Sequence, residues 1–122
     1  MDRRRFLGLV RRALADLPAP YRNWLANVDV VVERRPRRQQ LGEAGLGPQG
    51  VLFGLYEGIP LTQRSADYGM VLPDKITIFQ EPLEQEFRGD AELVAEVRRT
   101  VLHELAHHFG MSDEELERLG LD

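Results

Sequence analysis

The sequence predicts an α+β domain, on three observations. Apolar residues recur at helical spacing near the N-terminus: Phe6, Val10, Ala13, Leu14 and Leu17. Three runs rich in β-branched and aromatic residues follow, "VDVVVE", "VLFGLYEG" and "MVLPDKITIF". The best helical pattern of the chain then covers residues 90–109 and is stopped by Gly110. At 122 residues the chain fits one domain, 1–122, small for an enzyme but long enough for a core.

The elements follow in order. "RRRFLG" has the look of a twin-arginine export pattern, but Arg11 and Arg12 cut the apolar run and Asp16 follows. The segment therefore reads as an amphipathic helix of the fold, and a cytoplasmic location is expected. "LPAP" ends that helix, and "YRNWLAN" adds a further turn or two. Residues 28–33 form the first strand. Residues 34–50 are polar and rich in Gly and Pro and read as a loop. "VLFGLYEG" is the second strand. "MVLPDKITIF" predicts a hairpin around Pro73 and Asp74, "EPLEQEFRG" a short helix, and "SDEELERLG" a last one.

Composition narrows the chemistry. The chain has no cysteine, which excludes disulfides, thiolate metal sites and a cysteine nucleophile. A metal would have to be held by imidazole and carboxylate. No run reaches the length of a membrane-spanning helix. The net charge of −4 hides a gradient: residues 1–40 carry ten Arg against four acids, and residues 81–122 carry four Arg against twelve acids. Only Phe6, Tyr21 and Trp24 are aromatic among residues 1–40, a sparse set for stacking on bases. The gradient is thus assigned to neighbouring or solvated faces, and a nucleic-acid partner is not expected.

All three histidines lie within "HELAHH" on the long helix. Val94, Val97, Val101, Leu102, Leu105 and Phe109 share one arc of that helix, its expected core face. His103 and His107 fall outside the arc, beside Glu96, Arg99 and Thr100, one turn apart and about 40° from each other in azimuth. A core role suits them poorly. "HELAH" is His-Glu-x-x-His, the helical zinc motif of metallopeptidases. Imidazoles at i and i+4 converge on one ion, and the glutamate beside the first takes a proton from water. His103 and His107 are the expected Zn2+ ligands and Glu104 the expected general base. His108 points about 100° away from His107 and is expected to support the ligands from behind or to line the cleft near Glu104, not to bind the metal.

Catalytic zinc usually has three protein ligands. The chain ends fifteen residues after His107, which disfavours a glutamate far downstream. "HELAHHFGMSD" matches His-Glu-x-x-His-x-x-Gly-x-x-His with Asp113 at the last place. Gly110 can take the positive φ that ends the helix and turns the chain back. Asp113 has a second reading, because "SDEE" has the form of a capping box, with Ser112 as N-cap and Glu115 reaching back. Asp113 would then be a first-turn acid. The two roles are compatible.

On these residues the chain resembles small bacterial zincin-type, metzincin-like metallopeptidases with a minimal matrix-metalloprotease-like fold. "GLYEGIPL", "LPDKITIF" and the element order add to the likeness. The resemblance implies a small mixed β-sheet packed against an N-terminal helix and a long active-site helix. It also implies a peptide or protein substrate paired with an edge strand, for which "MVL" is the candidate. One departure stands out: no methionine-containing turn follows Asp113, and Met111 comes too early. The expected function is a zinc-dependent peptidase, the alternative a catalytically impaired zincin-like metal-binding or regulatory protein acting through a protein partner. Tyr56 and Tyr68 are candidate oxyanion stabilisers, with packing as their competing role.

Overall fold

The computed structural model describes residues 1–19, 21–58, 74–110 and 112–118, with the backbone alone at Asn27, Asp113 and Leu116. Asp2 starts helix α1 (Arg3–Ala15), its carboxylate accepting the Arg5 N–H at 2.8 Å. Such a cap satisfies one of the donors a helix start leaves open. Phe6, Leu9, Val10, Ala13 and Leu17 are buried, so the arginine-rich N-terminal segment forms a core helix of the fold. Helix α2 (Tyr21–Trp24) and a 3-10 turn (Leu25–Asn27) lead into strand β1 (Val28–Glu33), which coincides with the β-branched run.

Residues 34–50 depart from expectation, because they contain helix α3 (Arg38–Glu43). Local signals explain it. The Gln40 side-chain oxygen accepts the Arg37 N–H at 2.9 Å, the return half of a capping box. At the other end Gly45 takes φ +77°, and Gly45 and Leu46 donate to the carbonyls of Gly42 and Leu41. That pairing is a Schellman stop. Leu41 is buried, and Gln40, only 1% exposed, donates to Glu57 at 3.1 Å.

Strand β2 (Gly54–Glu57) occupies the second half of "VLFGLYEG", and strand β3 (Asp74–Phe79) follows the proline of "MVLPDKITIF". The "MVL" half of the expected hairpin lies outside the described residues, as does Tyr68. The sheet order is β1-β3-β2, with β1 parallel and β2 antiparallel to the central β3. The expected mixed sheet is present. Register places Val30 and Val32 beside Ile76 and Ile78, and Tyr56 and Gly54 on the other side of the same two residues. Alternation puts these side chains on one face. There Val32, Ile76 and Ile78 join the core formed with α1 and with helix α5 (Asp90–His108). The opposite face carries Leu55, Glu57 and Thr77, and the buried Thr77 hydroxyl donates to Glu57 at 3.0 Å. Helix α4 (Gln80–Glu86) joins β3 to α5, and α6 (Asp113–Arg118) follows α5.

The core face of α5 is rotated from the expected arc. Leu93 and Thr100 are buried with Val97, Val101, Leu102 and Leu105, whereas Phe109 is 48% exposed. The cause is the close approach of β2 on the Thr100 side. A Cβ built at Gly54 would stand 2.5 Å from Thr100 Cγ2 and 3.2 Å from the Thr77 carbonyl oxygen. Thr100 cannot swing away freely, since its hydroxyl donates to the Glu96 carbonyl at 2.8 Å. Gly54→Ala should therefore lower unfolding stability by about 1–3 kcal/mol, the usual cost of overpacking. Adding Thr100→Ser, which removes the clashing methyl, should recover most of the loss in urea titrations.

Part of the charge gradient is paired within the fold. Helix α1 lies against α5, with Arg5 forked onto Asp90 at 3.0 and 3.1 Å, and Arg35 reaches Glu81 at 2.9 Å. These pairs are exposed, and each contributes about 0–1 kcal/mol. They orient the two halves of the chain more than they hold them together.

Candidate active site

The site is built where β2 meets the last two turns of α5. Phe53 and Phe79 are opposed, and the Phe53 carbonyl accepts the Phe79 N–H at 2.9 Å. In an antiparallel ladder the bonded groups alternate along each strand. The main-chain groups of Gly54 and Tyr56 therefore point away from β3, toward α5. The Tyr56 N–H meets Glu104 there, donating to Oε2 at 3.0 Å. A backbone donor of β2, the outer strand among the described residues, thus fixes one carboxylate oxygen of the expected base.

Glu104 sits under opposing influences. Burial pushes its carboxyl above the ordinary glutamate range, while the Tyr56 N–H, His107 and His103 pull it down; burial prevails. The sign of the linkage follows. Below the ordinary carboxylate range the group is protonated in both folded and unfolded chains and costs nothing. As pH rises through that range to the raised folded value, the unfolded chain ionises first, and stability falls. Glu104→Gln, which keeps an oxygen for the Tyr56 N–H, should raise the melting temperature of the metal-free protein at pH 7. The gain should vanish in acid.

His103 is half-buried and His107 exposed, with ring centroids 5.8 Å apart and ring planes at 75°. Two imidazoles sharing one ion at a tetrahedral angle, each with a metal–nitrogen distance of about 2.1 Å, have centroids about 5 Å apart. The observed separation is close to that spacing. Two neutral imidazoles plus a carboxylate are a borderline-soft donor set that suits zinc. Among the described side chains no set of three His, Asp or Glu converges on a common point. The side chain of Asp113 is outside that description; its backbone opens α6, three residues past Gly110, whose φ is +82° as the motif requires. Ser112 caps α6 as expected, accepting the Glu115 N–H at 3.2 Å.

A cleft of about 300 Å³ runs along this edge. Residues 51–54 form one wall, and Glu96, Arg99, Thr100, His103 and Glu104 form the other. His108 is not among the described residues that line this cleft. Its ring stacks on Tyr56 at 3.9 Å and 12°, and the Tyr56 hydroxyl donates to Asp74 Oδ2 at 2.8 Å. Spacing on the helix could not reveal this contact, because it depends on where β2 lies. Among the described residues no helix is long and apolar enough to cross a membrane.

No curated protein sequence matches the chain. Among solved structures, a conserved hypothetical protein from Thermo thermophilus is similar over 99% of this chain and 100% of its own, at 25% identity and a TM-score of 0.54. The zincin-like metallopeptidase family matches residues 25–121, the span that holds the sheet, the long helix and the paired histidines. The chain belongs to the zincin-like metallopeptidase family.

Proposed function

We propose that the protein is a zinc-dependent peptidase of metzincin-like type. The reading rests on one juxtaposition: two imidazoles from adjacent turns of α5 flank Glu104, whose carboxylate is anchored by the Tyr56 N–H of β2; His103 and Glu104 line the cleft. His103, His107 and Asp113 would hold the metal. Bound there, Zn2+ would lower the pKa of water toward neutrality and polarise a carbonyl oxygen. The metzincin-like assignment is supported by Gly110, whose positive φ ends α5 and lets the chain reach Asp113 in three residues.

The chain's own groups supply the rest of the reaction. Glu104 accepts a proton from the attacking water and passes it to the leaving amine. With Oε2 held by the Tyr56 N–H, Oε1 is the oxygen assigned to the water. The outward main-chain groups at Gly54 can pair with an extended peptide laid along the cleft, which adds a strand to the sheet. The substrate is thus an extended or unfolded polypeptide segment. Tyr56 is not assigned to the oxyanion, because its hydroxyl is donated to Asp74.

Elemental analysis of protein prepared without chelator tests the reading, together with digestion of an unfolded protein or a peptide library. One zinc per chain and metal-dependent cleavage are expected. Zinc retention with no cleavage of any extended substrate would favour a metal-binding regulatory role through a protein partner. Absence of zinc would remove both readings.

A further inference from the structure

His108 has no part in the chemistry assigned above, yet its ring has a defined partner. His107 is the penultimate residue of α5, and Gly110, at φ +82°, prevents the helix from continuing. The last carbonyls of a helix lack intrahelical donors, and the final turn frays unless something outside holds it. A ligand on that turn is therefore only as well placed as the turn itself.

Two aromatic contacts grip this turn from different elements. From β2, the Tyr56 ring stacks on His108, centroids 3.9 Å apart and nearly parallel. From α2, Trp24 stacks on Phe109 at 4.6 Å, and Trp24 is itself braced edge-on by Tyr21 at 4.8 Å. His108 and Phe109 meet edge to face at 5.2 Å, so the contacts run continuously around the helix end. Tyr56 is tied down in turn, its hydroxyl on Asp74 Oδ2 at 2.8 Å, and the same oxygen lies 3.8 Å from His108 Nε2.

We propose that Tyr56 is a positioning residue that, by stacking on His108, clamps the last turn of α5 and holds His107 in register with His103. This rests on the zinc reading for its consequence but not for its mechanics. The clamp explains why a third histidine follows the motif directly: a flat polar ring covers Tyr56 where an aliphatic side chain could not stack. It also gives Tyr56 two tasks at one position, its N–H on Glu104 and its ring on the turn carrying His107.

The test uses Tyr56→Ala, Tyr56→Phe and His108→Ala. All three keep the Tyr56 backbone N–H to Glu104, and His108 is 41% exposed, so its removal leaves the core intact. Amide hydrogen exchange of the metal-free proteins is read first. Tyr56→Ala and His108→Ala should speed exchange at residues 106–109 selectively, with α1 as the internal control, and Tyr56→Phe should stay close to wild type. Zinc affinity, by chelator competition, should fall about tenfold or more in the two alanine variants, the usual loss when outer-shell support is removed. The phenylalanine variant should restore it. Unchanged exchange at the last turn overturns the clamp whether or not zinc binds, as does a uniform rise across α1 and α5. If the wild type binds no zinc while the local exchange effect is present, the clamp stands and the peptidase reading falls.

Discussion

Glu104→Gln is expected to abolish peptide hydrolysis while leaving the zinc content at one per chain. A positioned general base contributes typically about 10²–10⁴-fold, so kcat should fall by at least that factor with little change in KM. The substitution is nearly isosteric, and a glutamine oxygen can still accept the Tyr56 N–H that holds Oε2 in the wild type. Loss of activity could not then be ascribed to a collapsed cleft. The same variant should be more stable than wild type at pH 7, since it removes a carboxylate whose ionisation burial disfavours. Lower activity with higher stability in one substitution is the signature of a group kept for chemistry. A Glu104→Gln variant that still cleaves at more than about a tenth of the wild-type rate would remove Glu104 from the mechanism.

What could be read from the chain tracks how local each signal is. Strand β1 occupies residues 28–33 because a β-branched run and its flanks act within a few residues. Helix α5 ends within one residue of expectation because periodicity and a C-terminal glycine are also local. Helix α3 was obscured by Pro36 and four glycines between positions 42 and 50, although Gln40 and Gly45 mark its ends. Phe109 shows the other limit. At a helix end the neighbour decides, and its ring stacks on Trp24 instead of entering the core.

The site divides the same way. The i, i+4 spacing of His103 and His107 is a property of the helix, so their approach to 5.8 Å follows from five letters of sequence. The Tyr56 N–H on Glu104 does not, because it depends on which groups of β2 face outward. That is set by the register against β3, a pairing across a long connection. The stacking of His108 on Tyr56 is of this second kind too. Two ring directions on one helix were legible; the strand that completes the site was not.

Replacing either His103 or His107 by Ala should cost the protein its zinc. Loss of an outer-shell partner weakens metal binding about 10–100-fold, so loss of a direct ligand should exceed roughly 100-fold and leave purified protein metal-free after dialysis. Asp113→Ala should follow the histidine variants if its carboxylate completes the set, and should only unsettle α6 if it is merely a first-turn acid; zinc content separates the two. Thermal melts give a readout free of any substrate. Free zinc at a hundred times its dissociation constant should stabilise the wild type by about 2.7 kcal/mol, a shift on the order of 10 °C for a domain of this size. His107→Ala should show no such shift, and its metal-free melting temperature should stay near wild type, because the side chain is exposed. A wild-type melt indifferent to zinc would mean that the two imidazoles, though neighbours on the helix, share no ion.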